Sequence, residues 1–243
     1  MTTAKVSSRA KLGARVQVGD FTIVHDNVEI GDDTVIESHC VIGAPSKLAE
    51  GQPLVIGKGS LIRSHSIFYE GSCFGERLLT GNRVTVREKI QAGVALQIGT
   101  LSDFQGHARI GDYVRTHSNV HVGQKSNIGN FVWIFPYVVL TNDPHPPSHH
   151  LLGVTVEDFA VICTMSCILP GVRVGEHGFV AAHSLVTRDV PSHTIVAGVP
   201  AKSRGATDTI KLKDGSGESA YPWTRHFHRG YPDDVVAHWR RPV

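Results

Sequence analysis

The chain has 243 residues, of which 41% are hydrophobic and 19% are charged. This length and composition suit one large folded domain, with or without a tail, and exclude a chain that is disordered throughout. The formal net charge is only +2 with the fifteen histidines neutral. No strong positive field is therefore present to attract nucleic acid or an anionic membrane surface.

The cysteines and the N-terminal residues indicate the cellular compartment of the protein. Cys40, Cys73, Cys163 and Cys167 lack the CxxC spacing of structural zinc sites and are too few for a disulfide scaffold. The sequence has no run of eighteen apolar residues, and its first twenty residues lack the apolar centre of a secretory signal. We expect a cytoplasmic protein with reduced thiols and no membrane attachment.

A six-residue repeat of aliphatic side chains is the strongest pattern in the chain. It holds one register within each of three stretches, residues 18–42, 56–140 and 156–186. Its weakest positions are Thr80, Ala92 and Thr116. Glycine or another turn former follows many of the aliphatic residues, as in Ile110-Gly111-Asp112, and this predicts a corner every six residues.

Such a repeat predicts an all-β solenoid, because short strands joined by corners close a triangular coil after three repeats. Successive coils stack at the strand spacing of about 4.8 Å, which gives about ten coils with their aliphatic residues inside. A β-sandwich does not explain the pattern, since its strands vary in length and hold no fixed register.

Two interruptions and a tail depart from the repeat. We predict loops at residues 44–55 and 141–155, the second stiffened by prolines and rich in polar residues. The β-helix domain is predicted over residues 1–204 and a C-terminal tail over residues 205–243. The tail is expected to cap the last coil through Trp223 and Trp239, to contact a neighbouring subunit, or to frame an acceptor pocket.

The segment VEDFAVICTMSCILPGVRVGEHGFVAAHSLVTRDVPSHTIVAGVPAK, residues 156–202, resembles the C-terminal signature of the hexapeptide-repeat acyltransferases. The resemblance covers roughly residues 16–204 and implies a left-handed parallel β-helix. GNFVWIFPYVVLTNDPHPPS is similar to members that N-acetylate nucleotide-linked amino sugars for surface polysaccharides. The resemblance thus implies an acyltransferase that uses acetyl-CoA without a metal and works as a homotrimer, with sites between neighbouring subunits.

The resemblance also suggests which histidines act in catalysis. Acyl transfer from a thioester needs an acceptor nucleophile, a route for its proton and donors for the developing oxyanion. His145, which precedes a proline in the second loop, corresponds to the base histidine of related O-acetyltransferases. His117 resembles a pocket histidine of amino-sugar acyltransferases.

Three polar residues are candidates for binding the acceptor. A coil of eighteen residues stacks Gln124 on Asn142, and likewise Lys125 on Asp143. We therefore expect Gln124, Asn142 and Asp143 to bind acceptor hydroxyls or to hold the loop. The family often has an acid where Gln124 stands, and this departure argues against a carboxylate-assisted mechanism. A sugar amine needs less activation than a hydroxyl and could attack the thioester directly.

Coenzyme A is expected along the C-terminal coils. The small residues Ala181 and Ala182 let the pantetheine arm approach the backbone, while His183 replaces a family glycine and is expected to narrow the cleft or to shift that arm. Basic residues there can pair with the phosphates of the coenzyme. By resemblance, the coenzyme-binding residues are Thr164, Ala182, Thr187, Arg188, Lys202 and Arg204.

Three other functions remain open at this point. The chain could be an O-acetyltransferase for a sugar or another small molecule, which His145 favours. It could be a non-catalytic β-helix scaffold, although a scaffold needs no coenzyme signature. It could also be a zinc enzyme similar to the γ-carbonic anhydrases, but the spacing of His117 and His121 differs and Gly81 and Asn82 stand where a third histidine is expected.

Overall fold

The computed structural model describes residues 3–239, so residues 1–2 of the predicted domain and 240–243 of the predicted tail lie outside the described residues. Residues 3–239 form three sheets of 10, 9 and 11 strands, here called A, B and C. Up to the last coil, each strand pairs with the strand three positions later in the chain, so the chain winds through A, B and C in turn, and the final two strands of sheet C pair antiparallel. The predicted left-handed parallel β-helix is confirmed.

The strands of the three sheets are mostly two residues long. Sheet A contains Lys5–Val6, Ile23–Val24, Val41–Ala44, Ile67–Tyr69, Thr85–Val86, Asp103–Phe104, His121–Val122, Val139–Leu140, Cys167–Ile168 and Leu185–Val186. Sheet B contains Lys11–Leu12, Val28–Ile30, Leu54–Ile56, Cys73–Phe74, Gln91–Ala92, Arg109–Ile110, Asn127–Ile128, Thr155–Val156 and Arg173–Val174. Sheet C contains Gln17–Val18, Val35–Ile36, Leu61–Ile62, Leu79–Thr80, Gln97–Ile98, Arg115–Thr116, Trp133–Ile134, Val161–Ile162, Phe179–Val180, Thr194–Gly198 and Ala201–Ala206. The helices are the 3-10 turns Lys47–Ala49, Thr207–Thr209 and Trp223–Arg225 and the α-helix Asp233–Trp239.

The predicted six-residue register is the register of the core. Val122 pairs with Leu140 in the next coil, eighteen positions on, and both are buried. Thr80 and Thr116, which weaken the sequence pattern, are also buried. Their hydroxyls accept backbone N–H groups, Thr80 from Arg63 at 2.9 Å and Thr116 from Gly99 at 3.4 Å. These bonds offset the cost of burying a hydroxyl.

The corners differ from the expectation that glycine makes the bend. In the corner Ile110-Gly111-Asp112-Tyr113, the residue with positive φ is Tyr113, at 56°. Gly111 is required for a different reason, because a Cβ there would lie 2.6 Å from Asn130 Oδ1 in the next coil. That oxygen accepts the backbone N–H of Asp112 at 2.8 Å. The glycine thus permits close stacking of coils.

The corner between sheets B and C carries a ladder of stacked rings. Successive centroids are 5.3, 5.0, 4.8 and 4.9 Å apart along the column Tyr113, Phe131, Phe159, His177 and His193. All five residues have positive φ. Stacking of adjacent rings helps to stabilise this otherwise unfavourable backbone conformation.

Both interruptions leave the helix at the corner between sheets A and B. Strand pairing shortens the predicted loops, since Ala44, Leu54, Val55 and Thr155 belong to strands. The loops therefore cover residues 45–53 and 141–154. Four strands of sheet A separate the two loops.

The tail runs back along the outside of the helix. Its boundary was predicted after residue 204, which falls within the last strand, Ala201–Ala206. Trp223 and Trp239 were expected to cap the last coil, but in the structure both pack against the side of the β-helix. Trp223 packs against Trp133 of sheet C at 6.1 Å, and Trp239 packs against Phe131 at 5.2 Å. The two tryptophans of the tail thus bury apolar surface against rings that point outward from the β-helix.

Arg115 of sheet C locks the tail in place. Its guanidinium lies 4.4 Å from the ring centroid of Tyr231 and 4.9 Å from that of Trp133. The same group donates hydrogen bonds to the carbonyls of Arg229 and Gly230, both at 3.2 Å. Burial lowers the pKa of Arg115, yet the group stays charged because an arginine pKa starts so high.

None of the helices between residues 3 and 239 has the length and apolar character needed to cross a lipid bilayer. The α-helix Asp233–Trp239 has seven residues and begins with two aspartates.

We predict that His177 makes the fold sensitive to acid. Burial, followed by the charge of His193, lowers the pKa of His177 from 6.5 to about 4. As the pH falls from 6.5 to 4, the unfolded chain binds a proton that the folded chain does not, so stability declines by up to about 3 kcal/mol. Urea unfolding at pH 7 and pH 4.5 should show this loss in the natural protein and a smaller one in His177→Phe. His107→Phe, at an exposed corner position that also has positive φ, is the control. Equal losses of stability in all three proteins would contradict the assignment of the acid sensitivity to His177.

We predict that Arg115→Met releases the tail while leaving the β-helix folded. The substitution keeps an apolar stem but removes two hydrogen bonds and the contacts with the rings of Trp133, Phe227 and Tyr231, together worth roughly 2 kcal/mol. Limited proteolysis should cut the tail of this variant at least several times faster, with an unchanged far-ultraviolet spectrum. Arg109→Met, on the exposed side of sheet B, should behave like the natural protein. A protected tail in Arg115→Met would show that the aromatic contacts alone hold it.

Candidate functional site

A groove of about 410 Å³ lies on sheet C and extends to the corner between sheets C and A. Its floor includes Gly81 and Gly99, which directly follow successive strands of the sheet. In the coils on either side, the same position is occupied by Arg63 and His117. Close stacking requires both glycines, because a Cβ would lie 2.3 Å from Thr100 N at Gly81 and 2.2 Å from His117 C at Gly99. The two glycines leave a notch two coils wide, with the guanidinium of Arg63 at one end and the imidazole of His117 at the other.

His117 forms one end of this groove. Its ring stacks on Phe135 with centroids 4.7 Å apart and lies 6.1 Å from the ring of Trp133. Burial, and secondarily the charge of Arg115, lowers the pKa of His117 below 6.5. The imidazole is therefore neutral at pH 7 and able to accept a hydrogen bond or a proton.

The tail forms the outer wall of the groove. Phe227 and Arg229 line it together with Trp133 and Arg115. This position of the tail could not be predicted, because the tail has no repeat that would assign its residues to a face.

A second group of polar residues lies on the outer face of sheet A, between the two loops. His121 Nδ1 is 3.3 Å from Asp103 Oδ2, and Gln105 donates its amide N–H to the same oxygen. The His121 hydrogen bond is the main cause of a lowered pKa for Asp103, and the Gln105 bond and the charge of Arg87 act in the same direction. The ionised carboxylate favours the tautomer with a proton on Nδ1, so Nε2 can accept one.

This histidine and carboxylate pair was missed in the sequence analysis. Asp103 and His121 are eighteen residues apart and pair directly in the sheet. The coil length could therefore have identified them, by the same reasoning that aligned Gln124 with Asn142.

A buried carboxylate also fastens the first loop. Glu88 is 2% exposed, forms a two-point ion pair with Arg87 at 3.1 and 3.2 Å, and accepts a hydrogen bond from Ser46 of the loop. Although burial opposes ionisation, these bonds lower the pKa of Glu88. Lys89 binds Glu50 of the same loop at 2.6 Å. Nothing in the repeat pattern marks Glu88 as buried.

The predicted acceptor residues lie where the second loop meets the coil. Asn142 packs over Gly123, so that a Cβ on this glycine would lie 3.1 Å from the Asn142 Cβ. Gln124, the residue after this glycine, is partly buried. The Asn142 carbonyl accepts the N–H of Leu152 at 2.8 Å, which closes the base of the loop.

Asp143 is engaged inside the second loop. It accepts the backbone N–H groups of His145 at 3.1 Å and Ser148 at 3.0 Å, and the Ser148 hydroxyl at 2.9 Å. Although burial opposes ionisation, these hydrogen bonds lower the pKa of Asp143. The predicted stacking with Lys125 is replaced by another contact, since Lys125 Nζ donates to the carbonyl of Leu151 at 3.2 Å. His145 itself is exposed.

The two predicted catalytic histidines are on different corners of one chain. His117 starts the corner between sheets C and A, whereas His145 belongs to the loop between sheets A and B. A strand of sheet A, His121–Val122, separates these corners within the coil. One chain therefore does not bring His117 and His145 to the same edge.

The predicted coenzyme residues surround the last coils, and all are exposed or partly buried. Thr164 and Ala182 occupy adjacent coils at the corner between sheets C and A, where the carbonyl of Thr164 accepts the N–H of His183 at 2.9 Å. Thr187 and Arg188 follow the last strand of sheet A, on the other side of that sheet. Lys202 and Arg204 lie in the final antiparallel strand.

The residues considered for zinc do not come together. His121 points to Asp103 in the preceding coil, whereas His117 stacks on Phe135 in the following one. Between residues 3 and 239, no three His, Cys, Asp or Glu residues are grouped as ligands for a metal ion.

Known proteins share parts of this sequence. The bacterial transferase hexapeptide (six repeats) family matches residues 9–44. The chain is 42% identical over 87 residues to the 2,3,4,5-tetrahydropyridine-2,6-dicarboxylate N-acetyltransferase of Staphylococcus aureus (strain bovine RF122 / ET3-1), covering 36% of this chain and 30% of that protein. It is 32% identical over 115 residues to the acyl-(acyl-carrier-protein)-UDP-N-acetylglucosamine O-acyltransferase of Pseudomonas paraeruginosa (strain DSM 24068 / PA7), covering 47% and 40%. The chain thus spans less than half the length of these curated relatives.

A solved structure extends the likeness to most of the fold. The UDP-N-acetylglucosamine acyltransferase of Arabidopsis superposes on 84% of this chain and 73% of its own, with a TM-score of 0.71 and 16% identity. Together with the repeated eighteen-residue coil, this superposition shows that the chain has the left-handed parallel β-helix fold, within which residues 9–44 match the hexapeptide family.

Proposed function

We propose that the chain is an acetyl-CoA-dependent acyltransferase that N-acetylates an amino group of a nucleotide-linked sugar in polysaccharide or glycan biosynthesis. The observation that carries the proposal is the groove on sheet C, which is lined both by the neutral imidazole of His117 and by the guanidiniums of Arg63 and Arg229. Cations suit the phosphates of such an acceptor, and a neutral imidazole suits its amine. The two curated relatives, an N-acetyltransferase and an O-acyltransferase, support acyl transfer.

The proposed reaction needs little activation of the acceptor. The neutral amine attacks the thioester carbonyl, so that a C–N bond forms, the C–S bond breaks and coenzyme A leaves as its thiolate. His145 takes the proton that the attacking nitrogen releases. His117 accepts a hydrogen bond from the amine and orients it, while Gln124 and Asn142 contact acceptor hydroxyls and Asp143 holds the loop.

The coenzyme is assigned to the C-terminal coils. Arg188, Lys202 and Arg204 are exposed cations that suit its phosphates. The small side chain of Ala182, next to Thr164 in the preceding coil, leaves room for the pantetheine arm. Thr187 completes the proposed coenzyme site.

We further propose a homotrimer, in which the corners separated in one chain meet between two copies. In a cyclic trimer each interface joins two different surfaces of the chain, so the A–B corner of one copy can face the C–A corner of the next. Large apolar side chains line the C–A corner in an exposed column: Leu101 is 51% exposed, Tyr137 53% and Met165 49%. Such a column is expected to be covered by a partner.

Mixing two inactive variants tests both the histidines and the trimer. His117→Gln and His145→Gln should each lower kcat on an amino-sugar nucleotide by about 10²-fold or more. If each site takes one histidine from each copy, random mixed trimers formed by co-expression should recover roughly a quarter of natural activity. Acetylation of the amine is measured by release of free coenzyme A thiol.

The outcomes of that experiment separate the alternatives. No recovery on mixing would contradict a shared site. Near-normal kcat in both single variants would show that neither histidine is the base and that the amine attacks unaided. His149→Gln, an exposed histidine of the same loop, is the matched control.

O-acetylation is a second candidate function because of the pair on sheet A. A hydroxyl acceptor needs a strong base, and His121 held by Asp103 has the arrangement of an oriented general base. The pair lies between the two loops, and the His121 side chain is 39% exposed. An acceptor can therefore reach the imidazole.

Asp103→Asn distinguishes the two functions. The variant keeps the size of the side chain but removes the charge that orients His121, so kcat on a hydroxyl sugar should fall by about 10²-fold with little change in KM. Activity on the matching amino sugar should stay within a few-fold of natural activity. Asp208→Asn, on the exposed tail, serves as the control. Equal losses on both acceptors would contradict a role specific to hydroxyl activation.

We also propose that the protein works in the cytoplasm. Cys40, Cys73, Cys163 and Cys167 are free thiols in the described structure. Burial raises the pKa of Cys163 to about 11 and also raises that of Cys40 and Cys167, which lowers the reactivity of these three thiols. Free thiols are typical of a reducing compartment.

A further inference from the structure

An apolar cleft of about 240 Å³ adjoins the groove on sheet C. Its walls are the aromatic rings of Trp133, Phe135, Tyr221, Trp223 and Phe227, together with Val161. Trp133 and Phe227 also line the groove, so the cleft and the groove lie side by side. One part is aromatic and the other carries cations.

The cleft offers ring faces rather than hydrogen-bonding groups. Trp133 donates its indole N–H to the hydroxyl of Tyr231 at 3.2 Å, and Trp223 donates to the carbonyl of Phe159 at 3.3 Å. Phe227 stands almost perpendicular to Trp133, with an interplanar angle of 87°. A flat ring can pack against such walls through its face, and its polar edge must remain directed towards the groove or solvent.

The groove supplies positive charge next to the cleft. Arg229 lies two residues after Phe227, and its side chain is on an exposed part of the tail. Arg63 stands at the opposite end of the glycine notch, where Glu37 at 3.3 Å pairs with one of its nitrogens. Arg115 is already engaged by the carbonyls of Arg229 and Gly230. Arg229 and Arg63 are thus the cations placed to meet an anion in the groove.

We propose that cleft and groove together bind a nucleoside diphosphate, with its base in the cleft and its phosphates between Arg229 and Arg63. Stacked bases and paired guanidinium and phosphate groups are the two interactions that these surfaces provide. The group attached to the terminal phosphate then lies in the glycine notch between Arg63 and His117. This inference rests on the proposed function, because it locates the nucleotide of the acceptor.

Two ligands carry a nucleoside diphosphate, namely the sugar nucleotide and coenzyme A itself. Because Arg188, Lys202 and Arg204 are proposed to bind the coenzyme phosphates, the cleft is left for the sugar nucleotide. Because the tail forms one wall, it serves here as part of the substrate site.

Tryptophan fluorescence tests this inference directly. Trp133 and Trp223 line the cleft and Trp239 packs 5.4 Å from Trp223, so all three tryptophans of the chain report on it. Uridine diphosphate should quench the fluorescence saturably, and coenzyme A should neither reproduce nor compete with this effect. Arg229→Ala should weaken binding about tenfold, as expected for the loss of a charged hydrogen bond. Arg225→Ala, an exposed arginine of the same tail outside the groove, should bind normally.

A second variant tests the base site, since Val161→Phe fills the cleft. It should abolish quenching by uridine diphosphate, with an unchanged far-ultraviolet spectrum confirming the fold. Absence of saturable quenching by uridine and adenosine diphosphates up to millimolar concentration would overturn the proposal. Competition by coenzyme A would assign the site to the coenzyme and overturn the sugar-nucleotide assignment. Equal binding of uridine and its diphosphate, unaffected by Arg229→Ala, would overturn the role of the phosphates.

Acetyl transfer distinguishes failure of this inference from failure of the proposed function. If an amino sugar without a nucleotide is acetylated as well as its nucleotide-linked form, the chain is an acyltransferase that does not use the cleft. If nucleotide binds but no acetyl group is transferred to any amino sugar, the cleft assignment stands and the proposed function fails.

Discussion

The stacking of one coil directly on the next is the constraint on which the rest of this structure depends. Inward aliphatic residues pack on their counterparts in the next coil, which are eighteen positions away wherever no loop intervenes, as Val122 packs on Leu140. The backbones approach so closely that Gly111 has no room for a Cβ. Burial of apolar surface and continuous parallel hydrogen bonding thus act on the same register. A shift of one residue would expose the whole aliphatic column.

The same register decides which surface residues meet. Asp103 reaches His121 because they occupy equivalent positions in adjacent coils, and the rings of Phe131 and Phe159 stack for that reason. Omitting a side chain at Gly81 and Gly99 opens the groove without disturbing the core. Polar chemistry on this fold therefore arises from columns of outward positions, while the inward columns maintain stability.

The coil, its register and the positions of both loops could be predicted from the sequence, because hydrophobic periodicity reports directly on burial. Coil length alone could also have paired Asp103 with His121. The path of the tail could not be predicted from the sequence, because the contacts of Arg115 with Tyr231 and with two tail carbonyls follow no sequence repeat. Nor could the burial of Glu88, which depends on Ser46 of an irregular loop. The groove was missed because it needs both the periodic coil and the aperiodic tail.

Binding of acetyl-CoA, measured by titration calorimetry, tests the acyltransferase account most directly, because it requires no knowledge of the acceptor. We expect binding with a dissociation constant in the micromolar range, weakened by Arg188→Ala through the loss of a phosphate contact. Arg173→Ala, an arginine paired with Glu157 on sheet B, is the control and should bind as the natural protein does. No binding of acetyl-CoA at millimolar concentration would contradict the account and favour a non-catalytic β-helix.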